Sequence, residues 1–419
     1  MPKLVKYAAI QEAFETNPEE FKQAVYDATD NAAASASADL YDLATISAGL
    51  LRDWNEALDA LRKDDLNPNV MSSPRNAIAA RLQSILSLHA NEVSTPGRYE
   101  VQFDSHDLAG WIKLEWRRLF RPDLHPWVFP SPAPEIISDQ AVVALFADWG
   151  TGLYGAPVIS RSIEALPRCD VSLHLGDTYY SGAPDEIATR LIADWPKRAG
   201  TVNRTLNGNH DMYSGGQGYF DALETFFKQS ASCFAMQNAN WILVCLDTAY
   251  KDADLFGSQV AWLTSIVQAA GTRKLILFSH YQPFSYFESQ GPKLQKALSN
   301  LLNTQRIHAW FWGHEHRLVL YEPHSRWGFK GRCIGNGGFP NFRDKLDTSP
   351  SASYEFVNLK QQALEVPAAK VLDGPNPWIT EDPQKYSPHG FVLLEFDGPN
   401  AFETYKLADS VAVTARTAL

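Results

Sequence analysis

Five short polar clusters carry the side chains that could do chemistry, and each follows an apolar run, directly or within a few residues. The clusters are Asp148-Trp149-Gly150, Gly176-Asp177-Thr178-Tyr179-Tyr180, Gly208-Asn209-His210-Asp211, Ser279-His280-Tyr281 and Gly313-His314-Glu315-His316. Together they offer two aspartates, a tyrosine, an asparagine and three histidines as ligands. Oxygen and nitrogen donors in this mixture suit iron, manganese, zinc or similar ions, and they do not resemble a thiolate site.

This number of ligands exceeds what one ion takes while it keeps positions open for substrate. Two ions about 3.5–4 Å apart that share one carboxylate would use them all. The clusters therefore predict a dinuclear metal centre.

Each cluster also has a simpler interpretation. Gly208-Asn209-His210-Asp211 is typical of a polar turn, with Gly208 making the bend, and an aspartate after a strand is often a helix cap. Glu315 is expected to face away from the metals. Seven histidines are expected to have packing or surface roles: His89, His106, His125, His174, His308, His324 and His389. The occurrence of all five clusters in order, each after a strand, favours the metal centre.

The elements that position these clusters alternate between strand and helix. The strand candidates are 141–147, 171–175, 201–206, 241–246, 274–279 and 307–312, and the helix candidates are 156–166, 185–197, 218–228, 258–270 and 292–302. Near-continuous apolar strands are covered on both faces, and the alternation is typical of a layered α/β domain. Because ligands bind at the carboxyl ends of such strands, we expect the five clusters to converge.

The chain after residue 316 has a different pattern. The runs 317–321, 328–334, 390–396 and 402–407 predict strands joined without helices, hence an antiparallel sheet. Residues 341–385 are rich in Pro, Asp and Ser, and we expect a long surface excursion there.

The first 135 residues predict helices at 17–28, at 40–61, from Ser73-Pro74 to Leu86 and at 104–119. Five prolines between 122 and 134 then favour an extended linker. We therefore predict an all-helical N-terminal region, 1–135, and a catalytic domain, 136–419. The N-terminal helices could form a lid, an oligomer interface or a dock for a partner protein, and the sequence leaves these open.

Composition excludes several classes of protein. A net charge of −11 over 419 residues argues against a nucleic-acid partner. The four cysteines lack zinc-ribbon spacing, and Cys245 lies in an apolar run that suits a buried free thiol. The residues from Met1 to Lys6 lack the apolar core of a secretory leader, and no apolar run approaches the roughly 20 residues of a membrane helix. We expect a cytoplasmic protein with no membrane partner.

The five clusters resemble the motif series of the calcineurin-like metallophosphoesterase superfamily: D-x-[H/G], G-D, G-N-H-[D/E], H and G-H-x-H. Gly150 in the first motif, and Tyr180 three residues after Asp177, are similar to the purple acid phosphatase branch. The resemblance covers about residues 140–340 plus the terminal strands. It implies a layered β-sandwich flanked by helices, of α-β-β-α type, in the α/β class.

The resemblance also implies two metal positions. Asp148, Asp177, Tyr180 and His316 would hold Fe(III), and Asp177, Asn209, His280 and His314 would hold Fe(II), zinc or manganese, with Asp177 bridging the two ions. The implied reaction is hydrolysis of a small phosphate monoester by a metal-activated hydroxide. His210 would protonate the leaving oxygen, and Asp211 would orient the His210 ring.

Two other functions stay open at this point: a phosphodiesterase on the same fold, acting on a cyclic nucleotide or nucleotide derivative, and an inactive metal-binding scaffold. One departure bears on the substrate. Small members of the branch often place a second substrate-facing histidine about ten residues after the metal-binding one, and here that stretch reads Phe287-Glu288-Ser289-Gln290.

Overall fold

The computed structural model describes residues 123–343, 346, 350–361, 365–380 and 382–419, and in the N-terminal region 52–53, 55–57, 59–60, 70–71, 75–89, 91–92 and 101–102. The helices predicted at 17–28 and 104–119 lie outside these residues. The helix predicted after Ser73-Pro74 is α1, Ala77–His89. The region also holds a two-stranded antiparallel pair, β1 (Asn91–Glu92) and β2 (Val101–Gln102), which the all-helical prediction did not include.

A nine-stranded sheet and a six-stranded sheet form the body of the protein. The first has the order β13-β14-β11-β12-β10-β9-β8-β7-β3, and the second has the order β17-β16-β15-β4-β5-β6. The strands are β3 (Glu135–Ile136), β4 (Val142–Phe146), β5 (Val171–His174), β6 (Val202–Thr205), β7 (Phe234–Gln237), β8 (Trp241–Leu246), β9 (Lys274–Ser279), β10 (Ile307–Trp312), β11 (Leu318–Tyr321), β12 (Lys330–Ile334), β13 (Glu355–Leu359), β14 (Ala369–Asp373), β15 (Gly390–Asp397), β16 (Asn400–Leu407) and β17 (Thr417–Ala418).

The helices lie between strands, near the positions predicted. They are α2 (Ala156–Glu164), α3 (Pro184–Glu186, continued by a π-type helix at Ile187–Ile192), α4 (Asn209–Tyr213), α5 (Gln217–Ala222, continued by a π-type helix at Leu223–Phe227), α6 (Gln259–Ala269), α7 (Pro292–Ala297) and α8 (Ser299–Leu302). None of the described helices is long and apolar enough to cross a membrane.

Strand alternation explains why the two sheets stack with helices outside. In β8, Leu243 and Cys245 enter the core between the sheets, with Leu173 and Val392 of the other sheet. Val244 points the opposite way, into the core that α6 covers. Successive strand residues face opposite sides, so both faces of an apolar strand are buried. A further core under α2 and α5 covers the outer face of the six-stranded sheet. The α-β-β-α sandwich is confirmed.

The pairing register brings the polar clusters to one edge. Strands β4, β5 and β6 are parallel neighbours in one sheet, and β8, β9 and β10 are parallel neighbours in the other. All five clusters therefore follow the carboxyl ends of parallel strands, namely β4, β5 and β6 in one sheet and β9 and β10 in the other.

The strands after residue 316 are divided between the sheets. The pair β11–β12 is antiparallel within the nine-stranded sheet, and β15–β16 is antiparallel within the six-stranded sheet. The prediction of a single antiparallel sheet is wrong, because β12 pairs parallel with β10 while β15 pairs with β4.

The stretch 341–385 is also more ordered than predicted. It contributes β13 and β14 to the nine-stranded sheet. The buried Arg343 guanidinium pairs with Asp373 of β14 at 2.7 Å, so this aspartate belongs to the packed interior. The polar composition of the stretch concealed these strands, because six of the ten residues of β13 and β14 are not fully buried.

The proline-rich segment, residues 123–134, contains neither helix nor strand. It lies on the domain, where His125 stacks on Phe220 at 4.2 Å and Trp127 contacts Tyr250 at 5.0 Å. The boundary at 135/136 stays a prediction.

Candidate metal centre

Two aspartates lie at the ends of neighbouring strands of the six-stranded sheet. Asp148 follows β4 with φ 54°, and Asp177 follows β5 with φ 78°. Both carboxylates are buried. The left-handed backbone is costly for a residue other than glycine. This conformation turns each aspartate side chain away from the direction of its strand and toward the edge of the sheet where the other clusters lie.

The second motif presents Tyr179, where the prediction named Tyr180. The Tyr179 hydroxyl lies 3.1 Å from Asp148 Oδ1, 3.1 Å from Asp177 Oδ2 and 2.9 Å from His316 Nε2. The ring of Tyr180 lies under the Arg190 guanidinium, 5.0 Å from its centre. The phenol that contacts both carboxylates is therefore that of Tyr179, whereas the prediction named Tyr180 as the ligand.

The third, fourth and fifth clusters supply Asn209, His280 and His314. Nε2 of His280 lies 3.1 Å from Asn209 Oδ1, 3.2 Å from His314 Nδ1 and 3.4 Å from Asp177 Oδ2. His314 is fixed by its own backbone N–H, which donates to Asp148 Oδ2 at 2.8 Å. The structure thus brings these three predicted ligands together around one point.

Two overlapping groups of ligand atoms result, each with its atoms within 4.8 Å of one another. One consists of Asp177, His280 and His314, and the other consists of Asp148, Asp177 and His316. Asp177 belongs to both groups. This arrangement is the one predicted for two ions that share one carboxylate.

The hydrogen-bonding chemistry of the cluster fits a cation. Nδ1 of His280 donates to the Leu175 carbonyl at 2.9 Å, so Nε2 of the neutral ring is an acceptor. That acceptor faces a carboxylate oxygen and an amide oxygen, which are acceptors as well. The Tyr179 hydroxyl has one proton for two carboxylate acceptors, Asp148 Oδ1 and Asp177 Oδ2. Buried acceptors that face one another need a positive charge between them, and a metal ion supplies it.

Burial also shifts the pKa values of the candidate ligands away from their charged forms. It raises the pKa of Asp148 to about 6 and that of Asp177 to about 7, and it lowers the pKa of His314 well below its usual value. Each shift disfavours the charged form. Bound cations stabilise carboxylates and neutral imidazoles, so they would offset this cost.

His210 and Asp211 have different surroundings from those predicted. Nδ1 of His210 donates to the Tyr180 carbonyl at 2.5 Å, and its backbone N–H donates to Asp177 Oδ1 at 3.0 Å. Asp211 Oδ2 accepts the backbone N–H groups of Asp177 and Gly208, at 2.8 and 2.7 Å. Asp211 therefore ties two metal-binding loops together. Its predicted role of orienting the His210 ring stays a prediction, and the Tyr180 carbonyl contacts Nδ1 of that ring.

Gly208 allows the Asp177 carboxylate to lie close to its backbone, and it does not form the bend that was expected at a glycine. Its φ is −105° and its ψ is −178°, an extended conformation that other residues adopt. A Cβ at this position would lie 2.0 Å from Asp177 Oδ1. The bridging carboxylate therefore requires a glycine here.

The structure confirms the packing role predicted for His174 and the prediction that Glu315 faces away from the metal ligands. His174 is buried and its Nδ1 lies 3.2 Å from the Thr205 hydroxyl on β6. The Glu315 carboxylate accepts from the Ser285 hydroxyl at 2.5 Å and from Trp312 Nε1 at 2.9 Å, away from the ligands. All four cysteines are buried and free.

A cavity of about 490 Å³ opens on the metal side of the cluster. Asn209 and His314 form part of its wall, and the aromatic rings of Tyr213, Tyr250 and Tyr281 form another part. Arg75 and Gln290 also line the cavity and were missed. Arg75 carries no signal in the sequence, because it lies in the N-terminal region, far along the chain from every motif.

Residues 141–318 match the family model described as calcineurin-like phosphoesterase. The resemblance drawn from the motifs is thus confirmed at this level. The region 141–318 is therefore similar to calcineurin-like phosphoesterases. No curated relative matches the chain.

Several solved structures are similar to the chain. The purple acid phosphatase PPD1 from yellow lupin (Lupinus luteus) seeds is 18% identical over 67% of this chain and 54% of that chain, with a TM-score of 0.48. GAP50, described as the anchor in the inner membrane complex of Plasmodium, is 11% identical over 67% and 89%, with a TM-score of 0.49. PhoD is 10% identical over 68% and 70%, with a TM-score of 0.42. The chain spans about half the length of the lupin protein.

Proposed function

We propose that the protein is a phosphomonoesterase of purple acid phosphatase type with a dinuclear metal centre. The observation that carries this proposal is the pair of ligand groups that share Asp177, with a tyrosine phenol against one of them. A phenol beside two carboxylates is a hard oxygen set that favours a trivalent ion. The imidazole-rich group favours a divalent ion.

Asp148, Asp177, His316 and the Tyr179 phenol would hold Fe(III). Asp177, Asn209, His280 and His314 would hold Fe(II), zinc or manganese. When bound, the ions supply an activated water as nucleophile and stabilise the charge on the phosphoryl oxygens. Their charge exceeds that of two carboxylates and one phenolate, so the centre attracts phosphate although the chain is acidic.

His210 is proposed to give a proton to the leaving oxygen. Its Nδ1 is occupied by the Tyr180 carbonyl, so the proton would leave from Nε2. Burial lowers the pKa of His210 to about 4, which favours the neutral ring. A phosphate dianion bound nearby adds negative charge, and such charge favours the protonated imidazole.

Metal analysis of the purified full-length protein, together with a visible spectrum, tests the centre. We expect two ions per chain, one of them iron, and a pink or violet colour from a tyrosinate–Fe(III) pair. Colourless protein with manganese or zinc alone would reject the iron assignment and keep the hydrolase assignment.

Comparison of p-nitrophenyl phosphate with its bis ester tests the reaction. We expect the metal-loaded protein to prefer the monoester. The cavity is wider than a phosphate group needs, and this favours a phosphodiesterase as the second candidate. Preference for the bis ester would establish that function. Hydrolysis of neither ester would leave a metal-binding scaffold.

A further inference from the structure

An arginine from outside the five clusters lies beside the metal centre. Arg75 directly precedes the cap residue of α1, and its Nη2 donates to the His314 carbonyl oxygen at 3.4 Å. Its Nη1 pairs with Glu288 Oε2 at 2.6 Å. The side chain keeps 41% of its surface exposed, so a ligand in the cavity can reach the guanidinium.

The backbone of Arg75 is tied to a metal-binding residue. The Tyr213 hydroxyl donates to the Arg75 carbonyl at 2.8 Å and accepts from Asn209 Nδ2 at 2.7 Å. Arg81 of α1 donates to the Tyr213 carbonyl at 2.7 Å. These contacts fix the start of α1 against α4, so the position of Arg75 follows from the position of the metal centre.

The charge distribution of the cavity singles out Arg75. In the part of the chain that the structure describes, it is the one lysine or arginine that lines this cavity. The guanidinium is always charged, and its planar fork matches phosphate oxygens. The N-terminal end of α1 contributes less to anion binding than Arg75, because Asn76 Oδ1 already accepts the N–H groups of Ile78 and Ala79 at 3.0 Å.

The loop at residues 287–290 contacts Arg75 through Glu288. Its sequence is also the one that departs from the purple acid phosphatase branch. Glu288 pairs with Arg75, and Gln290 Nε2 lies 3.5 Å from His314 Nε2. The stretch that lacks a second substrate-facing histidine therefore brings in a cation from another part of the chain.

We propose that Arg75 binds the phosphoryl oxygens of the substrate and of the product phosphate, so that the N-terminal region completes the active site. Glu288 is a positioning residue that holds the guanidinium over His314. This inference rests on the proposed function, and it names the residue that gives the site its affinity for a phosphate dianion.

Titration of inorganic phosphate into the metal-loaded full-length protein by calorimetry tests the role of Arg75. Loss of a charge-assisted hydrogen bond weakens binding by roughly tenfold to a hundredfold. We expect Arg75→Ala to raise the Kd for phosphate by at least about tenfold, and Arg75→Lys to raise it less. Arg52→Ala is the matched control, because Arg52 is exposed and pairs with Asp53. Its phosphate affinity should equal that of the wild type.

Metal content and kinetics separate phosphate binding from a structural role. We expect Arg75→Ala to keep both ions and to raise the KM for p-nitrophenyl phosphate more than it lowers kcat. Phosphate affinity that stays at the wild-type value, per metal-loaded molecule, would overturn the proposal even if the variant loses metal or stability.

A double variant tests Glu288. Glu288→Gln alone should weaken phosphate binding by a smaller factor than Arg75→Ala. Added to Arg75→Ala it should change the Kd no further, because Glu288 acts through the guanidinium. Additive effects would remove Glu288 from the proposal. If the wild type hydrolyses no ester, the proposed function fails, while the phosphate titration still decides the role of Arg75.

Discussion

Two adjacent tyrosines, Tyr179 and Tyr180, show how finely the site depends on single side chains. The motif spacing points to Tyr180, whereas the hydroxyl in contact with Asp148, Asp177 and His316 belongs to Tyr179. Tyr180 instead supplies its backbone carbonyl to His210. Each tyrosine therefore makes a different contact in the site, and single substitutions can distinguish the two roles.

Substitution of the two tyrosines by phenylalanine assigns the metal-binding phenol. Tyr179→Phe removes the hydroxyl that contacts both carboxylates, so the iron-loaded variant should lose its visible absorption band. Tyr180→Phe keeps its backbone carbonyl and should retain the colour. A visible spectrum at equal iron content provides the measurement. The opposite result would return the ligand role to Tyr180.

Replacement of His210 by alanine tests the proton donor. General acid catalysis contributes about a hundredfold to ten-thousandfold, so turnover of p-nitrophenyl phosphate should fall by at least about a hundredfold. Metal content should stay at two ions, because the ligand contact of His210 is made by its backbone N–H. Loss of metal from His210→Ala would contradict the assignment.

At the scale of elements, the loops after β5 and β6 approach each other so closely that only glycine fits at the contact between them. Asp211 accepts N–H groups from both loops, and burial raises the pKa of its carboxyl to about 7. The Gly208 Cα lies against the bridging carboxylate. The position of Asp177 is therefore set by the neighbouring loop as much as by its own strand.

The variant Gly208→Ala tests this close approach. The new Cβ would lie 2.0 Å from Asp177 Oδ1, so the carboxylate must move and the protein should bind fewer than two ions. Circular dichroism should still show a folded protein. The control is Gly200→Ala, which carries the strain of φ +79° but has no atom within 4 Å of its new Cβ. Equal metal content in both variants would refute the close-packing argument.

At the scale of the whole molecule, one buried ion pair joins the two sheets. Arg332 of β12 contacts Glu403 of β16 at 2.9 Å, and the Tyr405 hydroxyl donates to the same carboxylate at 2.6 Å. Both charged side chains are almost fully buried. A buried pair adds little net stability when complete, but it is costly to break.

Truncation of Arg332 should therefore destabilise the sandwich. Arg332→Ala leaves the Glu403 carboxylate buried without its partner, and the free energy of unfolding should fall by roughly 3–5 kcal/mol. Urea denaturation would measure this loss. The double variant Arg332→Met with Glu403→Leu should regain most of the stability. A single variant as stable as the wild type would show that the pair is not needed to join the sheets.

The sequence by itself determined the strands that bear the site and the order of the polar clusters. The run 241–246 is apolar throughout, and 307–312 is apolar except at His308, because both faces of these strands are covered; the structure has strands with these bounds. Parallel strands end at one edge, so the convergence of Asp148, Asp177 and the histidines was predictable from local pattern alone. The strands β13 and β14 gave no such pattern, because polar residues interrupt each of them.

Only the tertiary structure decided which neighbours meet at the centre. Spacing does not say whether Tyr179 or Tyr180 turns inward, because that depends on the packing of the loop against Phe339 and Arg190. One partner of Asp211, the backbone N–H of Asp177, lies in another loop 34 positions away along the chain. Arg75 is separated from His314 by 239 positions. Contacts of this kind depend on long-range packing, so local patterns of residues do not predict them.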